Sequence, residues 1–279
     1  MRETTSGAAD RSTGSESLWL AERSVRERPL AFARRALQPR GRSPACPRYL
    51  AALERALWAE FPPFAAEAYA ELFRSASDSG QWVAMWLMRV AETEGQRARR
   101  LWGLAARGAG GKDARLLKQH AVDESDHALA YLALLDVVFP GAVPAQFRRE
   151  LDALSPHYTP RQKLSAEDAA EGEEVSGLDG HVRLNLEELR AAARLVLLRD
   201  AIARYASGER LARAAERVDA LLRDELRHVA YTARLIEDGA RAEERPLAEL
   251  LCTGLRDYNR ATSEDALDYS YHVRFGNYP

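Results

Sequence analysis

Asp123-Glu124-Ser125-Asp126-His127 and Asp224-Glu225-Leu226-Arg227-His228 decide how this chain is read. Both pentads have the form Asp-Glu-x-x-His, and each lies inside a long stretch of helical apolar periodicity. Residues three apart on a helix share a face, so the Glu and His of each pentad can reach one ion or two neighbouring ions. The stripe around Glu124 and His127 holds Leu117, Ala121, Leu134 and Leu135, with His120 and Tyr131 close to it. The stripe around Glu225 and His228 holds Val218, Leu221, Leu222 and Thr232. Ionisable groups on an apolar stripe are costly to bury unless they are paired or bind a metal. One surface Glu–His pair is commonplace; two matched pairs on inward faces are not.

Outward from the pentads, the pattern predicts four long helices. The first covers about Ser79–Arg107 and ends in the loop Gly108–Gly111. Asp113 reads as the N-cap of the second, which runs to about Phe139, before Pro140. The third covers about Val182–Ser207, closed by Gly208, and the fourth about Glu209–Asp238, closed by Gly239. Two shorter helices precede them, Tyr49–Glu60 and Phe64–Ser75, separated by Pro62–Pro63. No alternating β-branched run of strand length appears. The stretch Pro140–His181 carries four prolines and the acidic run Glu171–Glu174, and is long for a link inside a compact domain. It makes sense as a crossover. Short loops tie the first and second helices, and the third and fourth, into antiparallel hairpins, and hairpin–crossover–hairpin is a four-helix-bundle topology.

A two-metal site needs more carboxylate than two Glu supply. On the first long helix, Glu94 shares its face with Leu87, Val90, Ala91, Ala98 and Leu101, whereas Glu92 lies with Arg89, Gln96 and Arg99. On the third, Glu188 lies with Leu184, Ala191, Ala192, Leu195 and Ile202, and Glu187 with Arg183, Arg190 and Arg194. Glu94 and Glu188 are therefore the inward candidates. Four Glu and two His suit Fe and Mn best, with zinc as a further option.

This constellation, one Glu from each of two helices and Glu-x-x-His from the other two, resembles the ferritin-like di-iron carboxylate proteins over about residues 79–239. The resemblance implies an all-α fold: a ferritin-like four-helix bundle with a long crossover between helices two and three, plus extra N- and C-terminal helices. Residues 46–279 would form one such domain, preceded by a mobile arm, 1–45. Carried over residue by residue, Glu94, Glu124 and His127 would hold one metal, and Glu188, Glu225 and His228 the other. Glu124 and Glu225 would bridge, with Asp123 and Asp224 orienting the histidines. The implied cofactors are two Fe ions, or a Mn/Fe pair, with dioxygen as co-substrate. The implied activity is that of an oxygenase or oxidase acting on a small organic substrate by N-oxygenation, hydroxylation or desaturation. A ferroxidase or iron-handling protein is the alternative. The chain is also similar to bacterial oxygenases of the p-aminobenzoate N-oxygenase type, which carry an extra His ligand one turn before the last helix's Glu. Here that position is Leu221. His120 and His181 lie one and two turns before Glu124 and Glu188, and read as peripheral. Tyr131, Tyr231, Trp82, Trp86 and Trp102 read as aromatic packing.

Composition narrows the class further. A chain of 279 residues with 46% hydrophobic and 29% charged residues has the make-up of a globular protein. Forty Lys and Arg against 42 Asp and Glu leave a net charge of −2, so no global field draws nucleic acid or an acidic membrane. Nothing reaches the length of an apolar span. Two cysteines, Cys46 and Cys252, make no disulfide framework, and with no visible secretory signal the expected location is cytoplasmic. No Cys-x-x-Cys pair offers a built-in iron–sulfur donor, so electrons would come from a reductase or a small reductant. A homodimer is left open.

Overall fold

The computed structural model describes residues 23–38, 45–108, 111–170 and 177–275. Among them are nine α-helices and no strand. These are α1 (Arg28–Leu37), α2 (Pro47–Ala59), α3 (Glu67–Ala76), α4 (Gly80–Arg107), α5 (Lys112–Val138), α6 (Ala145–Leu154), α7 (Gly177–Ile202), α8 (Gly208–Ala242) and α9 (Leu247–Phe275). No helix is long and apolar enough to cross a membrane.

The four long helices α4, α5, α7 and α8 carry the site. α4 packs along α5 and α7 along α8, each pair joined by a short loop, and α5 packs on α8. Ser79 caps α4, its hydroxyl accepting from Trp82 N at 3.2 Å. Asp113 does not cap α5. The helix begins at Lys112 after Gly111, and Asp113 stands in its first turn, where a carboxylate suits the positive end of the helix dipole.

Two glycines read as helix stops behave otherwise. α8 runs through Gly239 to Ala242, because that glycine marks a close approach: a Cβ there would lie 3.0 Å from Leu178 Cδ1. Gly208, at φ +56°, opens α8, while α7 stops at Ile202 and starts at Gly177, five residues before the predicted Val182. At Gly254 on α9 an added Cβ would clash with Val182 Cγ1, so glycine lets α9 lie directly on α7.

The segment expected as a mobile arm holds a buried helix. In α1, Phe32, Ala33 and Leu37 are fully or almost fully enclosed and face α7 and α8. Arginines at 28, 34 and 35 hide this short stripe from a hydropathy reading. Residues 1–22 and 39–44 of the expected arm lie outside the described residues, as does the acidic run Glu171–Glu174.

The crossover contains a helix that the prolines concealed, α6, set against α4 and α5. Beyond it the chain is pinned to the middle of α5. Tyr158 N donates to Ser125 Oγ at 3.1 Å, Ser155 Oγ to Ser125 O at 3.3 Å, and the Tyr158 ring stacks on Trp102 at 4.2 Å. At the other end of α4 the expected aromatic packing is present. Trp82 and Trp86 stack at 6.4 Å with Phe73 edge-on to both, and Tyr269 of α9 joins them.

Candidate metal centre

Helical spacing sets the site. On α5, His120, Glu124 and His127 follow at steps of four and three, so all three side chains descend one face. Glu225 and His228 do the same on α8, and Glu94 on α4 and Glu188 on α7 face them. All seven side chains are buried, and Glu124, Glu188 and Glu225 have no solvent exposure.

Two groups could hold a metal ion, each with ligand atoms that all lie within 4.8 Å of one another. One is Glu124, His127 and Glu225; the other is His120, Glu124, Glu188 and His228. This partition differs from the expected one. Glu124 belongs to both groups, whereas Glu225 belongs to one. His120, read as peripheral, is 1% exposed and places Nε2 2.7 Å from Glu124 Oε1. Its other nitrogen, Nδ1, lies 2.7 Å from the hydroxyl of Tyr231, so that tyrosine does more than pack. His181 is half-buried and in neither group. Leu221 is simply core. On α7, Glu188 is fully buried and belongs to the four-residue group, whereas Glu187 pairs with Arg100 and Arg183 at the edge of the cluster.

Asp123 and Asp224 work crosswise. Asp123 Oδ2 lies 3.1 Å from Nε2 of His228, the histidine of the other pentad, and Asp224 Oδ2 lies 3.5 Å from Nε2 of His127. Each carboxylate engages the outer ring nitrogen and leaves Nδ1 facing the cluster. His127 Nδ1 is 3.6 Å from Glu124 and 3.5 Å from Glu225, and His228 Nδ1 is 3.3 Å from Glu188. Arg227 Nη2 ties the two aspartates together, at 3.2 Å from Asp123 and 2.9 Å from Asp224.

The residue the sequence reading missed is Arg97. One turn after Glu94, its guanidinium enters the cluster. Nη1 is 3.0 Å from Glu94 Oε2, Nη2 contacts Glu188 Oε1, and Nη2 is 3.5 Å from Glu124 Oε1. Its one signal in the sequence is spacing, three residues beyond Glu94 on the same face, and a charged side chain at that spacing still reads as solvent-facing.

The electrostatics follow from this crowding. Burial, and then the charge of Glu188, push the Glu225 carboxyl up to about 8. Burial and the charge of Glu124 also raise Glu94 well above the usual range. Burial would raise Glu124 and Glu188 too, but Arg97 beside them, with His120, holds both below it. Burial would lower His127 and His228, yet the hydrogen bonds of Asp224 and Asp123 and the surrounding carboxylates drive both imidazoles well above 6.5.

Oxygen and imidazole donors suit first-row metals. On the cluster side, the buried Glu124 Oε2, both oxygens of Glu225 and Nδ1 of His127 have no hydrogen-bond partner of ordinary geometry. Orphaned buried donors converging on one point fit a cation.

Two spaces adjoin the cluster. A cavity of about 570 Å³ between α4 and α7 reaches Glu94, Arg97 and Tyr131, with Trp86 and Tyr258 in its walls. A second, of about 780 Å³, lies over His120, Asp123, Asp224 and His228. No family model, no curated protein and no solved structure matches this chain.

Proposed function

We propose that the chain is a ferritin-like di-metal carboxylate oxidoreductase that uses two iron ions, or a Mn/Fe pair, with dioxygen to oxidise a small organic substrate. In this reading α4, α5, α7 and α8 are the four-helix bundle and α6 lies in the long crossover. The observation that carries it is the set of orphaned donors on Glu124, His127 and Glu225, fully enclosed and within reach of one ion. Leaving a buried carboxylate unpaired costs several kcal/mol, on the order of 2–7 even for a neutral polar group, and a bound cation removes that penalty.

Glu124, His127 and Glu225 would hold one ion, and Glu124, Glu188, His228 and His120 the other, with Glu94 at the margin of both. Such a pair, once reduced, supplies the two electrons with which dioxygen chemistry begins. The chain's own residues do the rest. Asp123 and Asp224 hold the imidazoles with Nδ1 inward, Arg227 holds the aspartates, and the apolar walls of α4, α5, α7 and α8 keep water out. The cavity beside Glu94 and Tyr131 gives an organic molecule a way to the cluster, which favours an organic substrate over iron storage. A reductase or small reductant would return the electrons.

The test is anaerobic Fe(II) titration followed by a dioxygen pulse, with oxygen consumption measured against a panel of small amines, acids and alcohols. The reading expects about two irons per chain and consumption that depends on an organic substrate. Uptake that scales only with excess Fe(II) would favour a ferroxidase. Metal binding that survives in both Glu124→Ala and Glu225→Ala would remove the site itself.

A further inference from the structure

The two halves of the cluster are not equivalent. In the Glu124–His127–Glu225 half the donors are orphaned. In the other half a positive charge is already in place. Arg97 Nη2 approaches Glu124 Oε1 and Glu188 Oε1, the two oxygens that His120 Nε2 also approaches, at 2.7 and 3.5 Å. A guanidinium nitrogen thus stands among the ligand atoms of the four-residue group.

We propose that Arg97 is a resident cation occupying the place of the second metal ion, so that the two ions enter in a fixed order. This rests on the two-metal reading above. The first ion goes to Glu124, His127 and Glu225. The second enters only as Arg97 withdraws from Glu188 and Glu124. A guanidinium does not leave by losing its proton, so it must move as a charge. Two features give it somewhere to go. Arg97 lines the cavity between α4 and α7, and Glu187, on the wall of the same cavity, already has Oε2 3.9 Å from Arg97 Nε. The arginine therefore exchanges Glu188 for its sequence neighbour Glu187. Metal loading and the shape of the cavity become linked, because the side chain that yields to the second ion turns into the space a substrate would use.

The test is a titration of the metal-free full chain with Mn(II). Calorimetry would follow binding, and electron paramagnetic resonance would follow free and spin-coupled Mn(II). The wild-type chain is expected to bind two ions with dissociation constants about a hundredfold or more apart, since a like charge a few ångströms away opposes the second. In Arg97→Leu, and in Arg97→Gln should the leucine variant fold poorly, the second constant is expected to fall about tenfold or more while the first stays within about threefold. Glu187→Gln, which removes the receiving carboxylate and leaves every proposed ligand in place, is expected to weaken the second ion only. Two ions of equal affinity in the wild type would overturn the proposal. So would a weaker second ion in Arg97→Gln, since that would make the arginine a support for Glu94 and Glu188 instead of a competitor. No Mn(II) binding at all would sink the two-metal reading and this inference with it, an outcome distinct from either.

Discussion

A buried polar network one turn from the proposed metal ligands offers a quantitative test of the fold. Tyr49 on α2 donates its hydroxyl to Asn185 Oδ1 at 2.5 Å, and Asn185 Nδ2 donates to Thr232 Oγ1 at 2.8 Å and to Val229 O at 3.2 Å. Thr232 Oγ1 donates in turn to His228 O at 2.7 Å. Tyr49, Asn185 and Thr232 have no solvent exposure, and burial raises the Tyr49 phenol so far that it is a donor throughout any practical pH range. Tyr49→Phe removes one bond and orphans Asn185 Oδ1, a loss of about 1–3 kcal/mol. Asn185→Ala removes three bonds, orphans the Tyr49 hydroxyl and leaves a small void, so about 3–5 kcal/mol is expected, or roughly a 6–10 °C fall in Tm for a chain of this size. The decisive quantity is the coupling. With Asn185 gone, Tyr49→Phe deletes an orphan and becomes neutral or stabilising, so a double-mutant cycle should return about 1–3 kcal/mol. Urea unfolding followed by circular dichroism measures it. If Tyr49→Phe costs the same in both backgrounds, to within about 0.3 kcal/mol, the network is not an energetic unit. Asn185 sits one turn before Glu188, and Thr232 one turn after His228. Asn185→Ala is therefore also expected to weaken metal uptake more than Tyr49→Phe does.

Three further outcomes follow from the same geometry. The metal-free protein should lose stability as pH rises. Glu225 goes from 4.5 unfolded to about 8 folded, and His127 and His228 are raised as well, so the folded state binds more protons across that interval; metal affinity should rise with pH as those protons are expelled. Melting curves of metal-free protein between pH 5 and pH 8 check this, and a Tm that climbs with pH would contradict it. Gly254→Ala would force a methyl group against Val182 Cγ1 and should cost about 1–3 kcal/mol by overpacking, read as a lower urea midpoint; an unchanged midpoint would mean α9 does not rest on α7 there. His120→Ala should weaken one bound ion and spare the other, visible as the loss of one step in a Mn(II) titration; two unchanged steps would return His120 to the periphery.

What sequence could and could not reveal divides along one physical line. Glu94 was separable from Glu92, and Glu188 from Glu187, because burial of a helix face follows the 3.6-residue period and needs no knowledge of neighbours. Arg97 obeys the same period, yet its charge reads as solvent-facing until the carboxylates of two other helices, α5 and α7, are known to meet at its level. His120 lies one turn before Glu124, but a lone histidine near an apolar stripe is as readily peripheral as buried; its place beside Glu124 and Tyr231 shows only once α8 is set against α5. Gly208 and Gly239 carried a stop signal, but a glycine kept for a close approach to Leu178 looks the same in one dimension. α1 and α6 were hidden by arginines and prolines on short amphipathic segments.

The pentads themselves say more than the pattern Asp-Glu-x-x-His. Because Asp123 engages His228 and Asp224 engages His127, neither pentad is a complete unit: each supplies the brace for the other's histidine. The intervening positions differ in kind. Ser125 anchors the crossover through Tyr158 and Ser155, and Arg227 clamps both aspartates from the rim. Asp126 is exposed and has no such tie. A change at Asp123 should therefore be felt first at His228, 105 residues away, before it is felt at the histidine four residues along its own helix. Asp123→Asn tests that directly. Nuclear magnetic resonance of the imidazoles should show the His228 pKa falling while that of His127 is little changed, since Asp123 is one of the groups that raise His228 and Asp224 is the one beside His127; the reverse pattern would mean that each pentad braces itself.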